Sequence, residues 1–254
     1  MKQIQGVKRN NYYIGNIMGE LSEYAKRYIF KMVHVDNMEY VLSTGICAKH
    51  HPKAKSGYVA IGDPELAAAR ENREVPCDPE SVLTDYVPFY FNGRMPMLSS
   101  IIHADRNRKE YWEIDSPYRK SRYGPNKTKQ WKQEDIVFIL CRLDEVLERC
   151  PKWCFTDKHA NSPHANFYTR LEDMDRLAWN VIDNYPEIMT EDIRLRRQAE
   201  FLVRDFVPLQ CIRGITVRTE QVRERLEPLL PDTGKFINLS FSRYSDPYFY
   251  NDGK

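Results

Sequence analysis

Three short stretches carry the side chains best suited to chemistry. They are His34-Val-Asp-Asn37-Met with Leu42-x-x-Gly45, then Asp85-Tyr-Val-Pro-Phe-Tyr90-Phe-Asn-x-Arg94-x-Pro-Met-Leu98, and Arg197-Gln-Ala-Glu200-Phe-Leu-Val203. A carboxylate within hydrogen-bond reach of a reacting group can accept or hold a proton. An arginine fork can grip phosphate or carboxylate oxygens in pairs, and the rings of Tyr86, Phe89 and Tyr90 offer flat surfaces for stacking. Read singly, each residue also has a plainer account. His34 follows an apolar strand and suits a hydrogen-bonded structural histidine. Glu200 sits between Ala199 and Phe201 and suits the solvent face of a strand, and Arg94 after Asn92-Gly93 suits a solvated turn.

The elements that must position these residues follow from the apolar pattern. Ile17–Arg27 has helical spacing, Tyr28–Val33 reads as a strand, and Asp36–Ser43 as a short helix closed by Gly45. Pro64–Arg73 is predicted as a helix with Asp63 available to cap it, and Tyr86–Phe91 is an aromatic run that suits a buried strand. Asp135–Leu143 is the clearest strand, followed by a helical turn over Asp144–Arg149 capped by Asp144, and then a strand over Lys152–Thr156. Glu191–Gln198 reads as helical or irregular, Glu200–Pro208 and Gln210–Val217 as strands joined by a tight bend, and Thr219–Leu229 as a helix. Helices bracketing a mostly β centre without regular βαβ alternation point to the α+β class. With no Gly-x-Gly-x-x-Gly present, a Rossmann cofactor site is not expected.

A chain of 254 residues with 42% apolar and 29% charged residues is expected to fold as one domain. Its most apolar runs, Ile136–Cys141 and Phe236–Phe241, fall far short of the ~20 residues a spanning helix needs. The N-terminal stretch lacks an apolar signal-peptide core, so no membrane association and a cytoplasmic location are expected. The six cysteines are scattered and read as reduced, small hydrophobic residues. Cys150-x3-Cys154 with His159 and His164 raises the question of zinc. Cys154 and His159 are too close for the usual finger, and Trp153 and Phe155 mark a short strand, so no metal is expected.

The three stretches, in their order, resemble the DarT family of DNA ADP-ribosyltransferases. Thr156-Asp157, Ala160-Asn161, the Leu171–Trp179 segment and Val207-Pro-Leu with Ile212-x-Gly-Ile-x-Val217 resemble it too, so the likeness runs from about Tyr28 to Leu230. The resemblance implies a fold similar to poly(ADP-ribose) polymerases, a central mixed β core flanked by helices, with NAD⁺ held in a cleft between β-sheets. It implies transfer of ADP-ribose from NAD⁺ to a base of single-stranded DNA, thymine or guanine, which blocks replication, and a macrodomain antitoxin that reverses the modification. On this likeness Glu200 and Arg94 are the expected catalytic pair, and His34, Asn37, Gly45, Tyr90 and Arg94 the expected NAD⁺ contacts. The residue types suit the reaction, because loss of nicotinamide leaves oxocarbenium character on the ribose, as in glycoside hydrolysis, and a nearby carboxylate stabilises it.

Net charge is only +2, so any nucleic-acid surface must be local. Arg106–Lys132 interleaves nine basic residues with Tyr111, Trp112, Tyr118, Tyr123 and Trp131, a mixture in which cations track phosphates and rings stack on bases. The polar stretch 104–133 reads as an insertion and departs most from the family pattern. From it Arg119, Lys120, Arg122 and Tyr123 are expected DNA contacts, together with Arg194, Arg196 and Arg197 just before Glu200. A solvated surface loop is the plainer account. Two further readings differ in function: an idle nucleic-acid-binding module on the same fold, or a transferase acting on RNA or protein.

Overall fold

The computed structural model describes residues 22–98, 131–184, 188–230, 238–241 and 248–249. A short helix, α1 (Ser22–Ala25), leads into β1 (Tyr28–His34), and α2 (Met38–Thr44) follows a 3-10 turn. After β2 (Ile46–Cys47) come α3 (Pro64–Glu71), the hairpin of β3 (Glu74–Val75) with β4 (Asp78–Val82), and β5 (Tyr86–Tyr90). From residue 131 onward come β6 (Ile136–Arg142), α4 (Leu143–Arg149), β7 (Trp153–Thr156), β8 (Phe167–Tyr168) and α5 (Trp179–Asp183). The remaining described elements are α6 (Glu191–Arg196), β9 (Glu200–Arg204), β10 (Phe206–Val207), β11 (Ile212–Val217), α7 (Glu220–Leu226) and β12 (Asn238–Phe241).

Eight of these strands form one sheet in the order β12-β11-β6-β1-β5-β9-β7-β8, antiparallel except for β11 with β12. The pairing is uneven in a way that matters for function. β1 pairs with β6 along its whole length, from Tyr28 opposite Arg142 to His34 opposite Ile136. With β5 it shares a single rung, Phe30 opposite Tyr90. β5 in turn pairs fully with β9, from Tyr86 opposite Arg204 to Tyr90 opposite Glu200. The sheet is thus two halves held at one rung that diverge beyond it, and the divergence leaves a crevice between β1 and β5. Pro88 sits on that diverging edge. It has no N–H to extend a ladder there, which is where a strand tolerates proline.

The alternating apolar residues of the strands fill both faces. One face carries Val33, Val87, Phe89, Val137, Ile139 and Phe201 in a core shared with α2 and α4, and the other carries Met32, Ile136 and Phe138 against Met95, Leu98 and Phe249. Burying a Phe side chain such as Phe89 or Phe201 contributes about 1.5–3 kcal/mol.

The α+β expectation agrees with this architecture, and several local expectations change. Asp144 does not cap α4. The cap position is Arg142, and the Asp144 carboxylate instead accepts from the Glu145 N–H at 2.8 Å and the Arg142 side chain. The strands around Glu200 and Val217 are not joined by one tight bend. The chain turns at Asp205 (φ 61°), whose N–H donates to Asp85 O, makes the two-residue β10 against β2, and crosses to β11, which three strands separate from β9. Of the first predicted helix, residues 22–27 lie within the described residues and are helical over Ser22–Ala25, and of the expected insertion at 104–133 only residues 131–133 are described.

Gly45 ends α2 with φ 98°, a conformation that L side chains resist. A Cβ there would lie 2.7 Å from both Phe206 Cζ and Val207 O. Gly45→Ala is therefore expected to cost about 2 kcal/mol from backbone strain and the displaced β10, read as a lower urea midpoint at unchanged slope.

Candidate active site

Glu200 opens β9 and is completely buried. Its main-chain N–H donates to Thr156 Oγ1 at 3.1 Å, and that hydroxyl donates to Lys158 O at 2.6 Å. This pair of bonds ties the first residue of β9 to the end of β7. A buried carboxylate requires a counter-charge and hydrogen bonds, and Glu200 has both. Arg70 meets it in a forked ion pair: Nη1 donates to Oε1 at 3.1 Å, while Nη2 lies 3.0 Å from Oε2 without hydrogen-bond alignment, and the Ala160 N–H donates to Oε1 at 3.0 Å. His159 Nε2 lies 3.9 Å from the same oxygen. Burial pushes the Glu200 carboxyl up, but the Arg70 guanidinium, then His159 and the hydrogen bonds, outweigh it and hold the group below the usual glutamate range.

Arg70 comes from the last turn of α3, a helix with no buried residue of its own. Asp63 caps it by accepting from the N–H groups of Glu65 and Leu66, with Pro64 at the first helical position. Leu66, Ala67 and Arg70 fall on one side at helical spacing and line the cleft. Asn161 Nδ2, donating to Leu66 O at 2.9 Å, fastens that helix to the loop that carries His159 and Ala160.

The cleft opens where β1 and β5 part. Lys31, Met32 and Val33 of β1 form one wall, Pro88 and Tyr90 of β5 the other, and residues 58–62 with α3 close one side. Met97, His159, Arg194 and Gln198 complete it. Tyr90 stands across from Glu200 in the register, and burial, then the Glu200 carboxylate, raise its hydroxyl well above an ordinary tyrosine, so it is a neutral donor. Lys31 Nζ donates to Pro88 O at 3.4 Å. Asn37 is buried behind the wall and clamps Val59 from both sides, Nδ2 donating to Val59 O at 2.8 Å and Oδ1 accepting from Val59 N at 3.0 Å. That clamp shapes the 58–62 segment.

The other expected site residues are placed as follows. His34 is buried at the end of β1, its Nδ1 accepting from Asp36 N at 3.2 Å and its ring 4.4 Å from that of Trp131, and it does not line the cleft. Gly45 lies against β10, where its backbone is what matters. Arg94 lies in a second hollow with Arg27, Tyr28, Asn92, Gly93, Arg197 and Tyr248, so Arg94 and Glu200 are not brought together, and the arginine on Glu200 is Arg70. Asn92 Oδ1 accepting from Arg94 N at 2.8 Å and Arg197 Nη2 donating to Arg94 O at 3.2 Å fix that turn. Arg197 is buried and also donates to Val181 O and, at 2.6 Å, to Asn184 O, so it braces main chain. Arg194 reaches the cleft, where burial lowers it to about 10 while Glu191 pairs with it. Arg196 is half-exposed beside Asp192 at 2.6 Å. Arg119, Lys120, Arg122 and Tyr123 lie outside the described residues.

Sequence reasoning missed Arg70, His159 and Lys31. Arg70 sits in Leu-Ala-Ala-Ala-Arg-Glu-Asn-Arg73, which reads as an ordinary solvated helix, and only the tertiary fold shows that Arg70 meets Glu200. The Ala160-Asn161 pair was the one local signal for the loop.

The family model for the ssDNA thymidine ADP-ribosyltransferase DarT matches residues 30–117 and 111–249. A DNA ADP-ribosyl transferase of Thermus sp. (strain 2.9) is 30% identical over 205 residues, 80% of this chain and 86% of the relative. One from Escherichia coli O127:H6 is 29% identical over 208 residues, 81% of this chain and 86% of the relative. Among solved structures, Thermus sp. 2.9 DarT in complex with ADP-ribosylated ssDNA superposes with a TM-score of 0.68 at 25% identity, covering 89% of this chain and 97% of that one. The same Thermus protein in complex with NAD⁺ gives 0.67 with similar coverage. The chain belongs to the DarT family and is an NAD⁺-dependent DNA ADP-ribosyltransferase with the α+β ADP-ribosyltransferase fold.

Proposed function

We propose that the crevice between β1 and β5 holds NAD⁺ with its nicotinamide-bearing ribose at Glu200, and that the acceptor is a thymine of single-stranded DNA. The observation that carries this reading is the forked Arg70–Glu200 pair, set where the two halves of the sheet part. The residues fit the donor: a carboxylate for a cationic sugar, cations for phosphates, and apolar walls from Met32, Ile61 and Met97 for rings.

Glu200, ionised across the physiological range, places negative charge where the sugar carbon becomes positive as nicotinamide leaves with the bonding electron pair. The attacking ring nitrogen of the base forms the new bond to that carbon and gives up its proton, and Glu200 is the group placed to accept it. Arg70 holds the carboxylate in orientation, and Tyr90, a neutral donor on the opposite strand, supplies a hydrogen bond and a ring face. Asn37 acts at one remove, through the Val59 segment.

DNA approaches from the side of α6, where Arg196 is half-exposed and Arg194 reaches into the cleft, with Arg119, Lys120, Arg122 and Tyr123 of the insertion as further contacts. His34 and Arg94 remain candidates for contacts made when donor and DNA are bound. Such a modification in a cell requires removal, and family membership supports a macrodomain antitoxin as the partner and the cytoplasm as the setting. No helix among the described residues is long and apolar enough to cross a membrane.

The test is intact-mass analysis of single-stranded oligonucleotides, each lacking one base, incubated with the protein and NAD⁺. The expected result is a mass gain equal to ADP-ribose on every oligonucleotide except the one without thymine. Loss of the gain only when guanine is missing would overturn the thymine assignment. Transfer to RNA or protein with none to DNA would overturn the acceptor class.

A further inference from the structure

Lys31 stands where β1 leaves β5, with part of its surface open to the cleft. Its neighbours differ in how their charges are matched. Glu200 and Arg70 neutralise one another, and Arg194 has Glu191. Among the described residues, Lys31 is in no ion pair, and its ammonium reaches only the Pro88 carbonyl at 3.4 Å. A cation withdrawn from water without a counter-ion costs stability. Retaining one among the apolar and aromatic residues that precede His34 in Tyr-Ile-Phe-Lys-Met-Val-His therefore needs a reason outside the free protein.

We propose that Lys31 is the residue that receives the donor's pyrophosphate, and that the protonation of its ammonium sets how tightly the cleft binds NAD⁺. This inference rests on the NAD⁺ reading of the cleft. The dinucleotide's pyrophosphate is the anionic part that an unmatched cation in the crevice would complement, while the carboxylate nearest to it is already committed to Arg70.

The groups nearest Lys31 are Arg70 of α3, Glu200 of β9, Tyr90 of β5 and Cys141 of β6, and Asp63, His159 and Arg194 line the same cleft. Arg70 stays charged. Glu200 lies below the usual carboxylate range, and burial pushes Tyr90 and Cys141 far up, so none of these nearest groups changes charge between pH 7 and 9.5. Lys31 does, because burial, then the Arg70 guanidinium, lower it to about 8, against a smaller opposing pull from Glu200. A bound phosphate favours the charged form, so the free protein must take up a proton on binding above pH 8, and affinity falls as pH rises.

The experiment is calorimetric titration of the whole chain with carbocyclic NAD⁺, whose sugar–nicotinamide bond does not break, at pH 7 and 9.5. Wild type is expected to bind about tenfold more weakly at pH 9.5. Lys31→Arg should bind equally at both pH values, and Lys31→Met about ten- to a hundredfold more weakly than wild type at pH 7 with no pH slope. Thermal melting supplies a readout that a purely structural lysine would not give: Lys31→Met should unfold at a higher temperature than wild type while binding worse. A wild-type affinity independent of pH, a Lys31→Arg variant that keeps the wild-type slope, or a Lys31→Met variant that binds normally would overturn the inference while leaving the NAD⁺ reading intact. Absence of binding by wild type at either pH would remove that reading and this inference together. Because Arg194 and His159 line the same cleft, loss of the wild-type slope in Lys31→Arg decides the matter even if Lys31→Met fails to fold.

Discussion

Replacing Glu200 by glutamine is expected to lower ADP-ribose transfer to single-stranded DNA by about a thousandfold or more, with the fold retained. Glutamine keeps the size of the side chain and one acceptor oxygen for the Ala160 N–H, so β9 should stay in place. On the proposed mechanism it removes the charge that opposes the sugar cation and the site that takes the base's proton. Both losses act on the bond-breaking step, so the effect falls on kcat more than on KM for NAD⁺. Steady-state rates from oligonucleotide mass spectra check this, with far-ultraviolet circular dichroism confirming the fold. A variant within tenfold of wild type would mean that the carboxylate is structural.

The second large effect is expected at Arg70. Arg70→Met leaves Glu200 at 0% exposure with its strongest counter-charge gone, while the Arg70 side chain itself is only 15% exposed, so solvent screens the pair little. Stripping one partner from such a buried pair costs about 3–5 kcal/mol of stability. The carboxyl should then rise from below the usual glutamate range and become protonated near neutral pH, because the burial that pushes it up is no longer outweighed. Transfer should fall by a factor comparable to that of Glu200→Gln. The double variant Arg70→Met/Glu200→Gln should regain part of the stability that Arg70→Met loses, since no buried charge is left unpaired. Urea denaturation of the two single variants and the double variant measures this directly. An additive loss of stability would show that the pair is not coupled.

Much of the frame was legible from the order of residues. The six-residue apolar run of β6 and the aromatic run of β5 could be read as strands because a strand covered on both faces demands such residues. Asp63 capping α3 was readable because capping is decided within four residues. Glu200 emerged only through family likeness, since an isolated glutamate in an apolar strand has no local mark of burial. The pairing of Arg70 with Glu200 could not be read at all. It joins residues 130 positions apart, and it depends on β1 and β5 sharing one rung and then parting, which no local pattern specifies. Arg94 illustrates the opposite limit. It belongs to a motif that marks the family, yet its turn is held by Asn92 and Arg197 over a different hollow. The role of Gly45 likewise became visible only when Phe206 and Val207 were seen to press against it.

The measurement that tests the central claim most directly sets Arg70 against Arg94. Arg70→Met and Arg94→Met are each incubated with NAD⁺ and a thymine-containing single-stranded oligonucleotide below the temperature at which either unfolds, and the mass gain of the DNA is followed over time. If the forked pair at the parting of β1 and β5 is the reaction centre, Arg70→Met loses transfer by about a thousandfold while Arg94→Met retains at least a tenth of the wild-type rate. Near-normal transfer by folded Arg70→Met, with transfer abolished in Arg94→Met, would contradict it and place the chemistry at the second hollow.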